Sequence, residues 1–269
     1  MKPTLLMVDE ITQDAKSMLS EFVNFKYQNH TSNHSHDFSF VYTGLTPIVT
    51  NAPVFCPCTG VEHIDSPKIF HLDEEFKKFH SKNVSSTAEH TISLMLQLLK
   101  INKMQILGKK IAIVGYGRVG RLVKKMLTGF ECFVKCFDKN DNWKPQLKSY
   151  DIITFHIPFE IDTKELIEKD MIHSMKDNAL IINTSRSGIV DEIAIINALK
   201  TGKLLGYAHD FNPTENIDTQ ERIDLWRNSG VNHKVIATNH IAGNCIEARE
   251  ITDKFIAEKI INYIKNEVI

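Results

Sequence analysis

Three residues beyond the apolar run Ala179–Asn183 the chain presents Arg186. A guanidinium is costly to desolvate, and its planar fork suits a carboxylate held by two hydrogen bonds, so its delivery to the end of a buried strand asks for an anion. His240 follows a second such run, "KVIAT", and an imidazole there can give or take a proton near neutral pH. Taken alone, an arginine after a strand is more often a surface ion-pair partner, and any one of twelve histidines is more often structural. Gly115, Gly117 and Gly120 form a G-x-G-x-x-G turn between the strand-like "IAIV" and the helical "VGRLVKKML". In that setting the glycines permit a tight turn and close backbone approach, and the helix start aims N–H groups at a pyrophosphate. Eighteen residues past Gly120, Asp138 closes the next strand, "CFVKCFD", where a carboxylate can accept from both ribose hydroxyls and repel a 2′-phosphate. The pattern therefore favours NAD over NADP, with Lys139 beside the acid softening that preference.

The elements that must position these groups alternate in period. From Lys110 to His240, short apolar strands ("IAIVG", "CFVKCFD", "DIITFHIP", "ALIIN", "LLGYAHD", "KVIATNH") alternate with amphipathic helices ("VGRLVKKMLTGF", "KELIEKDMIHSM", "DEIAIINALKTG"). That order predicts a parallel sheet covered on both faces, a doubly wound (Rossmann) α/β domain. Residues 1–86 read as a smaller α/β unit with strands in "TLLMVD", "FSFVYT", "PVFCPC" and "KIFHL", a helix near residues 11–22 and a polar loop "NHTSNHSHD". A helix over 85–100, opened by Ser85 and Ser86 as caps, is expected to cross between domains, and one over about 246–268 to pack back on the first unit. The division expected is a substrate domain of residues 1–86 completed by 246–269, and a dinucleotide domain of residues 87–245.

Lys and Arg (32) nearly cancel Asp and Glu (33), and the charges are scattered, which leaves no footprint for nucleic acid or an anionic membrane. No run approaches the ~18 apolar residues of a membrane span, and "MKPTLLMVDE" is too short for a signal sequence. Five cysteines without a Cys-x-x-Cys read as reduced thiols, so the expected location is the cytoplasm. Neither "CPC" at 56–58 nor the cluster His30, His34 and His36 has the ligand spacing of a closed zinc site, so no metal is expected.

From Cys58 to Ile251 the chain resembles the D-isomer-specific 2-hydroxyacid dehydrogenases. The resemblance runs through "TGVEHID" (59–65), "TAEHTISLML" (87–96), the glycine turn, "DIITFHIP" (151–158), "NTSRSGIVDE" (183–192), "HDFNPTE" (209–215) and "NHIAGNCIEA" (239–248). It implies a Rossmann domain inserted into a flavodoxin-like substrate domain, and an NAD-dependent enzyme interconverting a small 2-oxo acid and its D-2-hydroxy acid. By position in the blocks it assigns cofactor contacts to Gly115, Gly117, Arg118, Val119, Gly120, Asp138, Pro158, Thr184 and Asp210. It assigns catalysis to Arg186, Glu215 and His240, and substrate-carboxylate contacts to Thr59, Gly60 and Arg186.

Such a reduction needs a hydride on C2, a proton on the developing alkoxide and a grip on the carboxylate. Arg186 supplies the grip and polarises the carbonyl, His240 supplies the proton, and Glu215 fixes the histidine tautomer and stabilises its cation. Several positions depart from the family's pattern. Asn216 replaces the proline usual after the acid, Ser187 the glycine after the arginine and Asn239 the proline before the histidine. Only Ile101–Gln105 stand where most relatives carry an arm that contributes to their dimer, so the homodimer is less secure than the family implies. "YTGLT" at 42–46 lacks the arginine that phosphate-handling relatives carry, which favours an unphosphorylated substrate. A dinucleotide-sensing binding protein and a dehydrogenase of a phosphorylated hydroxy acid stand as the alternative readings.

Overall fold

Ile111 and Ile113 pack on one face of a sheet and Ala112 and Val114 on the other, all at most 1% exposed. A strand buried on both faces needs helices on both sides, which is what the alternating pattern anticipates. The computed structural model describes residues 2–27, 38–79, 84–211 and 219–267. It falls into two units, Met1–Asn83 with Cys245–Ile269, and Val84–Asn244.

The second unit runs α3 (Ser85–Ile101), β8 (Lys110–Val114), α4 (Arg118–Leu127), β9 (Phe133–Phe137), β10 (Ile152–Phe155), α5 (Lys169–Ser174), β11 (Ala179–Asn183), α6 (Glu192–Thr201), β12 (Leu204–Asp210), α7 (Thr219–Asn228) and β13 (Val235–Thr238). Its six strands are all parallel, in the order β13-β12-β11-β10-β8-β9. Because the chain steps from β8 to β9 on one side and then to β10 on the other, the strand order reverses at β8, where doubly wound sheets open a ligand crevice at their carboxyl edge. One face packs against α5 and α6 through Met171, Ile172, Ile195 and Leu199, and the other against α3 and α4 through Leu94, Leu98, Val123 and Leu127. Each such fully buried side chain contributes about 1.5–3 kcal/mol. Helix α3 sits close on β12 because residue 206 is glycine, where a Cβ would lie 2.8 Å from Leu98 Cδ1.

In the first unit, β1 (Thr4–Met7), α1 (Gln13–Leu19), β2 (Asn24–Tyr27), β3 (Phe40–Tyr42), β4 (Ile48–Val49), β5 (Val54–Phe55), β6 (Ile64–Asp65), β7 (Ile69–Phe70) and α2 (Glu74–Phe79) precede the break, and α8 (Ile246–Glu267) returns to it. A parallel five-stranded sheet has the flavodoxin-like order β2-β1-β3-β5-β7, and β4 pairs with β6 separately. Tyr263 of α8 meets Phe40, Phe55 and Phe70, with the last two rings stacked 4.5 Å apart. Asp253, with no exposed surface, fastens the same helix by accepting from Tyr42 Oη (2.9 Å), Thr12 N (2.8 Å) and Arg249 Nη2 (3.3 Å). Removing one member of such a buried charged set strands the others. Asp253→Ala should therefore destabilise the protein by about 3 kcal/mol, read from the denaturant midpoint at unchanged slope. A loss below about 0.5 kcal/mol would show that the clamp contributes nothing.

The structure differs from the sequence reading in several elements. The helix expected over "KELIEKDMIHSM" spans only Lys169–Ser174, because Lys164 and Glu165 form a turn, with Glu165 at φ +49°, and Ile167 then pairs with Val190. Ser85 does not cap α3, since its hydroxyl donates to Glu89 Oε1 (2.8 Å) and the helix starts after Val84 without a side-chain cap. The helix packs on β11, β12 and α4 and opens the second unit. Strands β2, β4 and β6 and helices α2 and α7 were not anticipated. Two of these strands are two residues long, too short for alternation to register.

Candidate active site

The glycine turn is built after β8. Gly115 has φ +100°, and a Cβ there would lie 2.4 Å from the His156 carbonyl oxygen. A Cβ on Gly120 would lie 2.1 Å from the carbonyl oxygen of Gly115, so helix and turn meet backbone to backbone. These two glycines are accounted for by the protein's own packing. Gly117 is different: it is exposed, and a Cβ there would meet nothing within 4 Å. It stands at the N-terminus of α4, which has no side-chain cap, and Arg118 and Val119 supply the first helical N–H groups. Open space before the positive end of a helix that has no side-chain cap is a fit for a pyrophosphate. Gly115 N donates to Phe137 O (2.9 Å), which ties the turn to the end of β9, and Asp138 follows there, exposed. Its Oδ1 accepts from Lys139 N (2.9 Å) and its own N–H donates to Asp141 Oδ2 (2.7 Å).

The turn after β11 is shaped by Asn183, which is fully buried. Its Oδ1 accepts from Ser185 N (2.9 Å) and Ser185 Oγ (2.6 Å), and its Nδ2 donates to Arg186 O (2.9 Å). That side chain closes the loop on itself and projects Arg186, half-buried, at the sheet's carboxyl edge, with Nη1 donating to Ser185 O (3.0 Å). Thr184, 8% exposed, shares a hydrogen bond with Thr91 of α3 (2.8 Å). Ser187 is buried, and Gly188 lies against the Phe159 ring, 2.5 Å from where a Cβ would stand, beside Pro158.

His240 follows β13, half-buried, with φ +52°, a left-handed conformation that a non-glycine residue holds only when its surroundings enforce it. Asp210, at the end of β12 and 1% exposed, does the enforcing. Its Oδ1 accepts from Thr238 Oγ1 (2.7 Å) and Ile241 N (2.9 Å), and its Oδ2 from Ala242 N (2.8 Å). Asp210, to which the resemblance assigns a cofactor contact, commits three acceptor positions to the turn that carries His240. Glu215 lies outside the described residues, as do His30, His34 and His36. Among the described residues no three His, Cys, Asp or Glu side chains are arranged to hold a metal ion, and no helix is long and apolar enough to cross a membrane.

In the first unit, Cys58 Sγ (3.4 Å) and His63 Nε2 (3.0 Å) both bond to Gly44 O, pinning the loop that contains Thr59 and Gly60 at both ends. Cys56 Sγ donates to the same oxygen, and its bond with Cys58 together with burial pushes its thiol pKa up, so it stays protonated. Asp9 accepts from Gly44 N (2.6 Å), Thr46 N (3.1 Å), Thr43 Oγ1 (3.1 Å) and Thr46 Oγ1 (2.6 Å). Burial pushes this carboxyl up, and the hydrogen bonds from Thr46, Gly44 and Thr43 outweigh it and hold Asp9 below the usual range.

Burial also pushes His156, after β10, down from 6.5 to about 3. Its Nε2 lies 3.0 Å from Thr154 Oγ1. The folded chain keeps it neutral while the unfolded chain protonates below 6.5, so the unfolded state binds the extra proton and stability falls as pH drops from about 6.5 toward 3. The expected slope from this group is about 1.4 kcal/mol per pH unit. In urea titrations at successive pH values, His156→Gln should flatten that limb. An unchanged limb would clear His156.

A sequence model of the D-isomer specific 2-hydroxyacid dehydrogenase NAD binding domain matches residues 77–242, well over half of the chain. The chain belongs to the D-isomer specific 2-hydroxyacid dehydrogenases. It is 31% identical to a D-3-phosphoglycerate dehydrogenase of Archaeoglobus fulgidus over 214 residues, covering 68% of this chain and 40% of that protein. With a glyoxylate reductase of Thermofilum pendens it shares 29% over 245 residues, covering 78% and 70%. The solved structure of an NAD-dependent formate dehydrogenase from Staphylococcus aureus in complex with NAD superposes with a TM-score of 0.77 at 20% identity, covering 99% of this chain and 96% of that one, which shows the fold. For a D-isomer specific 2-hydroxyacid dehydrogenase, the glycine turn is accordingly part of the NAD binding domain. Sequence reasoning missed the support behind the other turns: Thr87, His90 and Thr91 of α3, on one helical face, reach the turn after β13, the end of β13 and the turn after β11. The spacing of "TAEHT" carries that signal.

Proposed function

We propose that the protein is an NAD-dependent oxidoreductase that interconverts a small, unphosphorylated 2-oxo acid and its D-2-hydroxy acid, in a cytoplasmic, homodimeric setting. One observation carries the reading: a single parallel sheet delivers the open glycine turn after β8, Arg186 after β11 and His240 after β13 to the same carboxyl edge. When bound, NADH supplies the hydride. Gly117 and the amides of Arg118 and Val119 hold its pyrophosphate, Asp138 the adenosine ribose, and Pro158 and Thr184 line the approach to the nicotinamide. Arg186 pairs with the substrate carboxylate, aided by the N–H groups of Thr59 and Gly60, and its field polarises the carbonyl. His240 gives its proton to the developing alkoxide, and Glu215 holds the other ring nitrogen.

The first-unit loop supports an unphosphorylated substrate. The amides of Gly44 and Thr46, which could cradle a phosphate, are given to the internal carboxylate of Asp9. The test is NADH oxidation with glyoxylate, hydroxypyruvate, pyruvate, longer 2-oxo acids and phosphohydroxypyruvate. Turnover of one or more of the unphosphorylated acids supports the reading, preference for phosphohydroxypyruvate moves it to a phosphorylated substrate, and tight NADH binding without turnover moves it to a sensor. Asp138 adds its own expectation. NADH should bind at least tenfold tighter than NADPH, about 1.4 kcal/mol, and Asp138→Ala should narrow that gap. Equal affinities in the unmutated protein would remove Asp138 from the ribose site.

A further inference from the structure

The first two turns of α3 present Thr87, His90 and Thr91 at i, i+3 and i+4, one helical face, and each meets a different segment of the site. Thr91 bonds Thr184 after β11, His90 Nε2 lies 2.9 Å from Thr238 Oγ1 at the end of β13, and a Cβ on Gly243 would stand 3.7 Å from Thr87 Oγ1. The bond at His90 has a direction. The Thr238 hydroxyl has one proton, and Asp210 Oδ1 at 2.7 Å is a better acceptor for it than His209 O at 3.3 Å. Thr238 Oγ1 must then accept from His90, so Nε2 carries the hydrogen. A directed chain runs from His90 through Thr238 to Asp210, and Asp210 in turn receives the amides of Ile241 and Ala242, the two residues after His240.

We infer that His90 is a positioning residue of the reaction: through Thr238 and Asp210 it holds the left-handed turn that aims His240. The inference rests on the reading of His240 as the proton donor. Without the His90 donor, the Thr238 hydroxyl can rotate toward His209 O, Asp210 loses one of its three donors, and the turn at φ +52° is no longer over-determined. An imidazole displaced by an ångström costs on the order of a hundredfold in rate, while ground-state binding elsewhere is untouched.

The experiment compares His90→Leu, which removes the donor, with His90→Gln, whose amide N–H replaces it, in the full chain. For His90→Leu, kcat should fall on the order of thirtyfold, with NADH Kd and substrate KM within about twofold of the parent. His90→Gln should recover most of that loss. Hydrogen exchange at the amides of Ile241 and Ala242 should quicken about tenfold in the leucine variant and not in the glutamine one. Unchanged kcat and unchanged exchange in His90→Leu overturn the inference, as does an equal loss in both variants, which marks a packing role. Faster exchange at the two amides with unchanged kcat, in a protein whose His240→Gln variant also keeps its activity, overturns the proton-donor reading and leaves His90 a support of the turn. Loss of turnover in His240→Gln with parental kcat in His90→Leu overturns only the inference about His90.

Discussion

His240→Gln is expected to lower turnover of 2-oxo acids by about three to four orders of magnitude while NADH binds with parental affinity. The separation follows from where each group sits. The glycine turn after β8 and Asp138 after β9 lie on strands on the other side of the sheet from β13, so replacing the imidazole leaves the dinucleotide's contacts in place. Glutamine keeps the size and a hydrogen-bonding group but cannot give up a proton at neutral pH. Because reduction consumes a proton and oxidation releases one, kcat/KM for reduction should fall as pH rises and that for oxidation should rise over the same window. Glu215→Gln, which on the proposed reading removes a charge that favours the protonated donor, should move the reduction profile to lower pH. Steady-state rates in both directions across pH 5 to 10, with NADH titrations alongside, check this about-thousandfold loss and its pH signature. Substantial turnover by His240→Gln would remove the acid from the mechanism, and an unshifted profile in the Glu215 variant would remove its partner.

Arg186→Lys should lower kcat/KM by about two to three orders of magnitude with NADH affinity nearly unchanged. Lysine keeps the charge and loses the planar fork that grips a carboxylate with two parallel bonds and aims a third donor at the carbonyl. Its flexible stem also loses the Nη1 bond to Ser185 O at 3.0 Å that steadies the guanidinium, while the loop that Asn183 closes on the residue 186 carbonyl stays. The proposed role uses the grip in the ground state and the polarisation in the transition state, so both KM and kcat should worsen. A collapse of NADH affinity with substrate KM unchanged would make Arg186 a cofactor or folding residue and undo the carboxylate argument.

What was legible in the sequence was whatever a period or a special residue type marks. Strands β8, β10 and β11 are apolar but for Lys110, Thr154 and Asn183, and Gly115 and Gly120 stand where a Cβ would meet backbone within 2.4 Å. The parallel sheet, the switch at β8 and the placement of Arg186 and His240 after strands all follow from those marks. Asp210 shows the limit. Its block matched the family's, but which donors a buried carboxylate faces depends on tertiary register, here Asp210 beside Thr238 in the β12–β13 pair. The role of His90 was unreadable for the same reason: the spacing of "TAEHT" marks a shared helical face, but the partner Thr238 lies 148 residues away along the chain. The helix expected over "KELIEKDMIHSM" failed because the turn at Lys164 and Glu165 and a long-range pairing, Ile167 with Val190, overrode a local helical pattern.

The most direct measurement of the central claim uses NADH carrying deuterium at its transferable C4 position, with pyruvate and hydroxypyruvate as acceptors and chiral separation and mass analysis of the products. The account predicts D-2-hydroxy acid bearing one deuterium on C2, formed in step with NADH consumed. Label absent from C2, an L product, or NADH left unconsumed with either acid and with every other 2-oxo acid tried would contradict it.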